Sequence, residues 1–265
     1  RTILPRHEQG CGFMAHGYAR TTGKAGVCMA TSGPGATNLV TCIADAQMDS
    51  IPMVAITGQV PTPVMGTDAF QEAPVSAIMG AIAKHVFLVT DPDLLEDTVR
   101  SAFELARTGR PGPVVIDIPK DVQNWEGPFK GHGSLPLHGY RRRLAKVENN
   151  VLSDAACERF FTMLSESERP LIYAGGGVIN ANATKPMRRL ANEYGIPVTT
   201  TLMALGASDT THPLALHMLG MHGLASANYA VEDCDFLIAI GARFDDRVSP
   251  DHQTLRFGGT LGAAG

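Results

Sequence analysis

Glu8 is the residue whose position first asks for a chemical explanation. It lies in RHEQGCGFMAHGYAR (6–20), after a histidine and at the start of a glycine-bearing helical stretch. Alone, a first-turn carboxylate is simply favoured by the positive end of the helix dipole. A catalytic role needs a pocket supplied by the rest of the chain, and several stretches offer parts of one. TSGPGATN (31–38) follows an apolar run and opens a helix. There Gly33 and Gly35 permit close backbone approach, Pro34 stiffens the turn, and the first helical N–H groups can face a polar ligand. It is neither a dinucleotide fingerprint nor a Walker loop, so on its own it reads equally as a tight βα turn.

GTDAFQE (66–72) sits on a long irregular connection behind Pro61 and Pro63 and sets an amide, Gln71, beside an aromatic, Phe70. Long ordered loops of this kind tend to carry function. In the second half, AGGGV (174–178) ends a strand-like run with glycines, and LGMHGLASANYA (219–230) reads as a glycine-rich loop entering a helix. GARFDDRV (241–248) holds two arginines and two aspartates after an apolar run. It is either a surface salt-bridge cluster or a grip for a carboxylate or phosphate.

The elements that must hold these loops alternate. GVCMATS (26–32), IPMVAITG (51–58) and GPVVIDIP (112–119) suit buried parallel strands, with helices predicted over 36–49 and 92–108. The second helix starts from Asp91 as N-cap with Pro92 at its first position. Around 125–150, WEGPFKGHGSLPLHGYRRR loses any apolar period and reads as a linker, with Arg141, Arg142 and Arg143 solvated. Alternation then resumes with a helix from about Ser153, strands at 170–177, 196–201 and 235–242, and a helix near 184–194. The expected fold is therefore α/β, with two doubly wound parallel-sheet units over 1–124 and 151–265. Their sites should lie beyond the C-terminal ends of the strands.

Composition narrows the function classes. The 265 residues are 44% hydrophobic and 18% charged, enough for two real cores, and a formal net charge of −4 gives no general attraction for nucleic acid or anionic lipid. No apolar run is long enough to span a bilayer. The five cysteines (Cys11, Cys28, Cys42, Cys157, Cys234) lie among apolar neighbours without a C-x-x-C, the pattern of buried free thiols in a reducing compartment such as the cytoplasm. The histidines show no metal-ligand spacing, so no metal site is expected. The opening Arg1-Thr2 and the closing FGGTLGAAG read as cut ends, so a fragment is expected.

RHEQG (6–10), GYAR (17–20), TSGPGATNL (31–39), AITGQV (55–60), GTDAFQE (66–72), GRPGPV (109–114), DIPKD (117–121), LGMHG (219–223) and GARFDDRV (241–248) occur in this order. Together, and over nearly the whole chain to about Val248, they resemble the catalytic subunit of acetolactate synthase, also called acetohydroxyacid synthase. The resemblance implies a thiamine-diphosphate enzyme with a pyrimidine-binding domain (1–124), a central FAD-associated domain (151–265) and a diphosphate-binding domain. It implies decarboxylating condensation of pyruvate with pyruvate or 2-ketobutyrate, serving valine, leucine and isoleucine synthesis. FAD is bound without net redox work.

By matching motifs, the resemblance makes Glu8 the carboxyl that hydrogen-bonds the aminopyrimidine of thiamine diphosphate, its proton affinity raised by partial desolvation. Cys11, Phe13 and Met14 would supply apolar surroundings. Ser32, Gly33, Pro34 and Asn38 would frame the cofactor at its pyrimidine end. Phe70 and Gln71 would line the substrate side, with Lys120 near the substrate channel. Asp246 and Arg247 would hold the second ketoacid. Arg110, Gly175, Gly176, Gly177, His222 and Gly223 would belong to the FAD site. The family's GDG-type motif for Mg2+ and the diphosphate is absent from the sequence, so the magnesium is expected of the parent and not of these residues. A homodimer or homotetramer, and a possible regulatory subunit, are implied. Competing readings are another flavin-containing thiamine enzyme (pyruvate oxidase or glyoxylate carboligase, the latter lacking the acid at Glu8) and a non-catalytic flavin-binding remnant.

Overall fold

The computed structural model describes residues 2–128, 131, 137, 139–148 and 152–244. The chain divides into two compact units, 1–149 and 150–265. In the first, the elements run α1 (Glu8–Thr22), β1 (Gly26–Ala30), α2 (Pro34–Thr37), α3 (Val40–Asp49), β2 (Met53–Gln59), α4 (Val75–Gly80), β3 (His85–Leu88), α5 (Leu95–Arg107), β4 (Pro113–Pro119), α6 (Lys120–Gln123) and α7 (Tyr140–Glu148). In the second they run α8 (Asp154–Glu166), β5 (Pro170–Ala174), α9 (Gly176–Asn180), α10 (Thr184–Tyr194), β6 (Val198–Thr200), β7 (Ala215–Met218), α11 (Ala225–Asp233) and β8 (Phe236–Ile240).

Each unit carries a four-stranded sheet, ordered β1-β2-β4-β3 and β7-β6-β5-β8, and every strand pair among the described residues is parallel. Helices flank both sheets, as the α/β reading expects. Burial explains which strands were visible in the sequence. β4 is buried along its whole length and β2 over most of it, so both appear as unbroken apolar runs. Val54, Val114 and Ile116 close the first core against Ala102 and Leu105 of α5, and Ile172, Ala174 and Ile238 close the second against Met187 and Ala191 of α10.

Local chemistry sets the helix ends. His7 caps α1 through Nδ1, which accepts from the Gln9 N–H at 3.1 Å, and Gly23 ends the helix in a left-handed conformation (φ 69°). α1 then packs closely on α3: a Cβ at Gly12 would lie 1.9 Å from Cys42 Sγ. Asp91 accepts from the Asp93 N–H at 2.9 Å, as the N-cap reading expects, although the first turn is 3-10 and the α-helix begins at Leu95. The helix predicted over 36–49 is divided, with Asn38 and Leu39 between α2 and α3.

The stretch read as a linker contains α7. Tyr140 Oη lies 2.7 Å from Thr108 Oγ1, and Arg141 grips Glu104 with two bonds of 2.8 Å. Arg141, Arg142 and Arg143 are exposed, as the solvated reading expects, and Arg141 adds a two-pronged surface pair with Glu104. All five cysteines are free; Cys28 and Cys42 are buried, and Cys11, Cys157 and Cys234 are half-buried. Burial raises the Cys42 thiol to about 11 and pushes Cys28 higher still, so neither is a thiolate near neutral pH.

Candidate functional site

The chemistry-bearing loops of the first unit follow the C-terminal ends of its strands, the place where parallel sheets hold ligands. Residues 31–38 follow β1, the 60–73 connection follows β2, and Lys120 follows β4, with its side chain exposed. Glu8, at the start of α1, reaches the first of these loops. Asn38 donates through Nδ2 to Glu8 Oε2 at 3.0 Å. The other oxygen, Oε1, lies 3.5 Å from where a Cβ on Gly35 would stand, so the glycine leaves the carboxylate an open side.

Glu8 is half-buried. The Asn38 amide, then its own backbone N–H, hold its pKa below the ordinary glutamate value; desolvation pushes upward but does not prevail. The expectation of a raised proton affinity is therefore corrected. The hydrogen bonds favour the ionised form more than partial burial disfavours it. Cys11 is half-buried, while Phe13 and Met14 are 39% and 51% exposed and face away from α1's buried side, so an apolar wall from these two is also corrected.

The two loops touch. Gly33 is buried with φ 60° and ψ −117°, and a Cβ there would stand 2.6 Å from the Gln71 carbonyl oxygen. Only glycine admits this approach. Ser32 is half-buried and Pro34 exposed; α2 is a single short turn, too brief to act as the helix-end anion site considered from the sequence. Phe70 is 90% exposed and Gln71 is exposed with φ 61°, a left-handed conformation that a non-glycine residue adopts only when its surroundings impose it. The structure thus brings Glu8, Asn38, Gly33 and Gln71 into one chain of contacts.

Residues of AITGQV and DIPKD to which motif matching assigns no individual role hold the connection. Gln59 Nε2 donates to Ala73 O at 2.9 Å and to Asp117 Oδ2 at 3.1 Å, and Thr57 Oγ1 donates to Asp117 Oδ1 at 2.7 Å. Asp117 is 1% exposed and its pKa is raised by burial, against the two donors that lower it. Asp121 accepts from the Thr62 N–H at 3.0 Å and from Thr62 Oγ1 at 2.5 Å. The spacing of polar residues with β-strand period in TGQ and IDIP was the available signal.

Arg110 is engaged within the first unit. Its Nε donates to Ser50 Oγ at 2.8 Å and its Nη2 to Gln47 O and Met48 O at 3.0 and 3.2 Å, which satisfies carbonyls at the end of α3. In the second unit the glycines answer to the chain itself. A Cβ on Gly175 would lie 2.2 Å from Gly241 O, one on Gly177 2.7 Å from Gly241 Cα, and one on Gly223 2.2 Å from Met218 O. His222 is exposed, as are Met221, Leu202 and Leu224 near the same strand ends. Asp246 and Arg247 lie outside the described residues.

Folding also assembles a group with no sequence spacing: His16 of α1 meets Asp45 and Asp49 of α3, their ligand-type atoms all within 4.8 Å. His16 Nδ1 is 3.2 Å from Asp45, and Arg20 Nη1 is 3.4 Å from Asp49. With residues four apart on each helix, the arrangement is a two-rung ladder between α1 and α3.

Residues 1–78 match the thiamine pyrophosphate enzyme N-terminal TPP binding domain, and residues 157–258 match the thiamine pyrophosphate enzyme central domain. The chain belongs to the thiamine pyrophosphate enzymes. Within that family it is 52% identical over 255 residues to acetolactate synthase 2, chloroplastic, of Nicotiana tabacum, covering 94% of this chain and 37% of the relative. It is 52% identical to the acetolactate synthase large subunit of Corynebacterium glutamicum, covering 96% and 40%. The probable acetolactate synthase large subunit of Methanocaldococcus jannaschii is 50% identical, covering 94% and 42%. The chain therefore spans about two fifths of the length of these relatives. Among the described residues, no helix is long and apolar enough to cross a membrane.

Proposed function

We propose that these residues serve an acetolactate synthase, joining a two-carbon unit from pyruvate, with loss of CO2, to a second pyruvate or to 2-ketobutyrate. The observation that carries the reading is the Glu8 carboxylate, held by Asn38 and left open beside Gly35, in contact through the 31–38 loop with the segment bearing Phe70 and Gln71. Thiamine diphosphate, when bound, supplies the nucleophilic carbon and the electron sink for decarboxylation. Glu8 would hold and share the proton at the aminopyrimidine nitrogen, with the Asn38 hydrogen bond favouring its ionised form. Asn38 fixes the carboxylate's direction, and Ser32, Gly33 and Pro34 frame the same end. Gln71 and Phe70 offer one hydrogen-bonding group and one apolar wall to the ketoacid, with Lys120 at the approach and Asp246 and Arg247 meeting the second ketoacid's carboxylate.

FAD belongs to the reading with a narrower set of contacts. The missing side chains of Gly175, Gly177 and Gly223 make room for this chain's own backbone, so a flavin would rest on the exposed His222 and its apolar neighbours. Arg110, already bound to the end of α3, would meet it only with its remaining N–H groups. No step is assigned to FAD or to Mg2+, whose GDG-type motif does not occur in the sequence. The limits 1–124, 125–150 and 151–265 remain the proposed domain division. A cytoplasmic or organellar homodimer or homotetramer, with a possible regulatory subunit, completes the proposal.

The test is product analysis of the full-length protein given pyruvate, thiamine diphosphate and Mg2+. Acetolactate is expected, and Glu8→Gln should slow its formation by on the order of 10²-fold or more. Acetyl phosphate and peroxide in place of acetolactate would replace this reading with a pyruvate oxidase.

A further inference from the structure

The turn that presents Phe70 and Gln71 is built around a carboxylate from its own chain. Glu72 Oε1 accepts from the Gly66 N–H at 2.5 Å and Oε2 from the Ala69 N–H at 3.0 Å. Those two amides, more than the neighbouring Thr67 and Asp68 N–H groups, hold the Glu72 pKa below the ordinary glutamate value, while the Thr67 N–H itself donates to Val64 O at 3.3 Å. Gly66 and Asp68 have φ of 82° and 59°, the alternation that turns consecutive amides to one side of the chain. The Glu72 N–H in turn donates to Ala69 O at 2.9 Å, closing the turn. Outside this ring, Phe70 is 90% exposed and Gln71 holds its positive φ of 61°. The ends are fixed separately, through Thr62 on Asp121 and Ala73 on Gln59.

We propose that Glu72 is the positioning residue of the Phe70–Gln71 segment: its carboxylate fills a nest of backbone amides at 66–69, and this internal anion sets the conformation in which Gln71 is presented. The argument is one of satisfaction. Without the carboxylate, the Gly66 and Ala69 amides lose their acceptor, so the turn relaxes unless another anion enters. The nest lies at the surface, so the loss is local. The fold should survive while the presentation of Gln71 does not. The functional part of the proposal rests on the reading that Gln71 faces the substrate.

Chemical rescue tests it. In the 265-residue chain carrying Glu72→Ala, titrated acetate should shift the amide resonances of residues 66–69 saturably, and wild type, its nest already filled, should show no such response. In the full-length enzyme, Glu72→Ala should lower kcat/KM for pyruvate by on the order of 10²-fold, and the same acetate range should restore part of it. If Glu72→Ala fails to fold, Glu72→Gln keeps one acceptor oxygen and should fold with the 66–69 amides shifted upfield of wild type. Amide resonances unchanged by either substitution, or an equal acetate response in wild type, would overturn the nest. A clear amide rescue in a protein that makes no acetolactate would overturn the functional reading and leave the nest standing. Acetolactate synthesis undiminished in Glu72→Ala would do the reverse to the positioning role.

Discussion

Asn38 and Glu8, thirty residues apart, meet side chain to side chain at 3.0 Å, and that bond is the largest influence on the Glu8 proton affinity. Asn38→Ala is therefore expected to raise the Glu8 pKa toward the ordinary glutamate value, read by NMR titration of the labelled carboxyl. The sign for stability follows from a depressed folded pKa. Glu8's contribution is present above its unfolded pKa and is lost as pH falls through the folded value. Wild type and Asn38→Ala should thus differ most near neutrality and converge in acid.

Gly33 is the point where the 31–38 loop lies on Gln71. Gly33→Ala places a Cβ 2.6 Å from Gln71 O and 2.9 Å from Gln71 Cα in a backbone with φ 60°. Backbone atoms cannot swing aside, so a loss of about 3 kcal/mol in urea unfolding is expected. Gly10→Ala is the control. Nothing lies within 4 Å of its new Cβ, and a gain of up to about 1 kcal/mol is expected from helix propensity.

Asp117 gives a pH dependence of opposite sign to that of Glu8. Burial raises its folded pKa, so the folded chain holds this proton more tightly than the unfolded chain. Its share of the stability therefore falls as pH rises from the unfolded aspartate value through the raised folded one. Asp117→Asn removes that slope. Urea unfolding across the acid range should show wild type losing ground to the variant as pH rises, and a gap widening in wild type's favour would contradict the assignment.

What the sequence revealed depended on how far each determinant lay from the residue it governs. β2 and β4 were legible because their residues are buried and form continuous apolar runs. β3 and β7 were not read as strands; both are sheet edges with half-exposed side chains, and HVFL and ALHM carry no sustained pattern. Motif resemblance placed Glu8 and Asn38 at the same end of the cofactor but not their hydrogen bond, since no spacing rule links residues thirty positions apart. Glycines 175–177 looked like a ligand loop, yet the groups that require Gly175 and Gly177 are backbone atoms of Gly241 and Ala242, far along the chain, and a Cβ on Gly176 would meet the Met203 side chain. Glu72 stayed hidden because its partners are main-chain amides, which every sequence contains.

Lys84 governs the turn that delivers Arg110. Its Nζ donates to Leu105 O, to Thr108 O at 2.7 Å and to Arg110 O at 2.8 Å, and stands 5.8 Å over the Tyr140 ring. Burial pushes its pKa down to about 8. For a lysine depressed on folding, the unfolded chain binds more protons between that value and the ordinary one, so stability should rise with pH across this window. Lys84→Met removes the slope and leaves three carbonyls without their donor, an expected loss of about 2–3 kcal/mol at neutral pH. Because Arg110 then closes the end of α3 on Gln47 O and Met48 O, the loosening should travel. Hydrogen exchange at the last turn of α3 should accelerate in Lys84→Met, and exchange in α1 should not. Equal acceleration of both would mean general destabilisation in place of a turn-specific one.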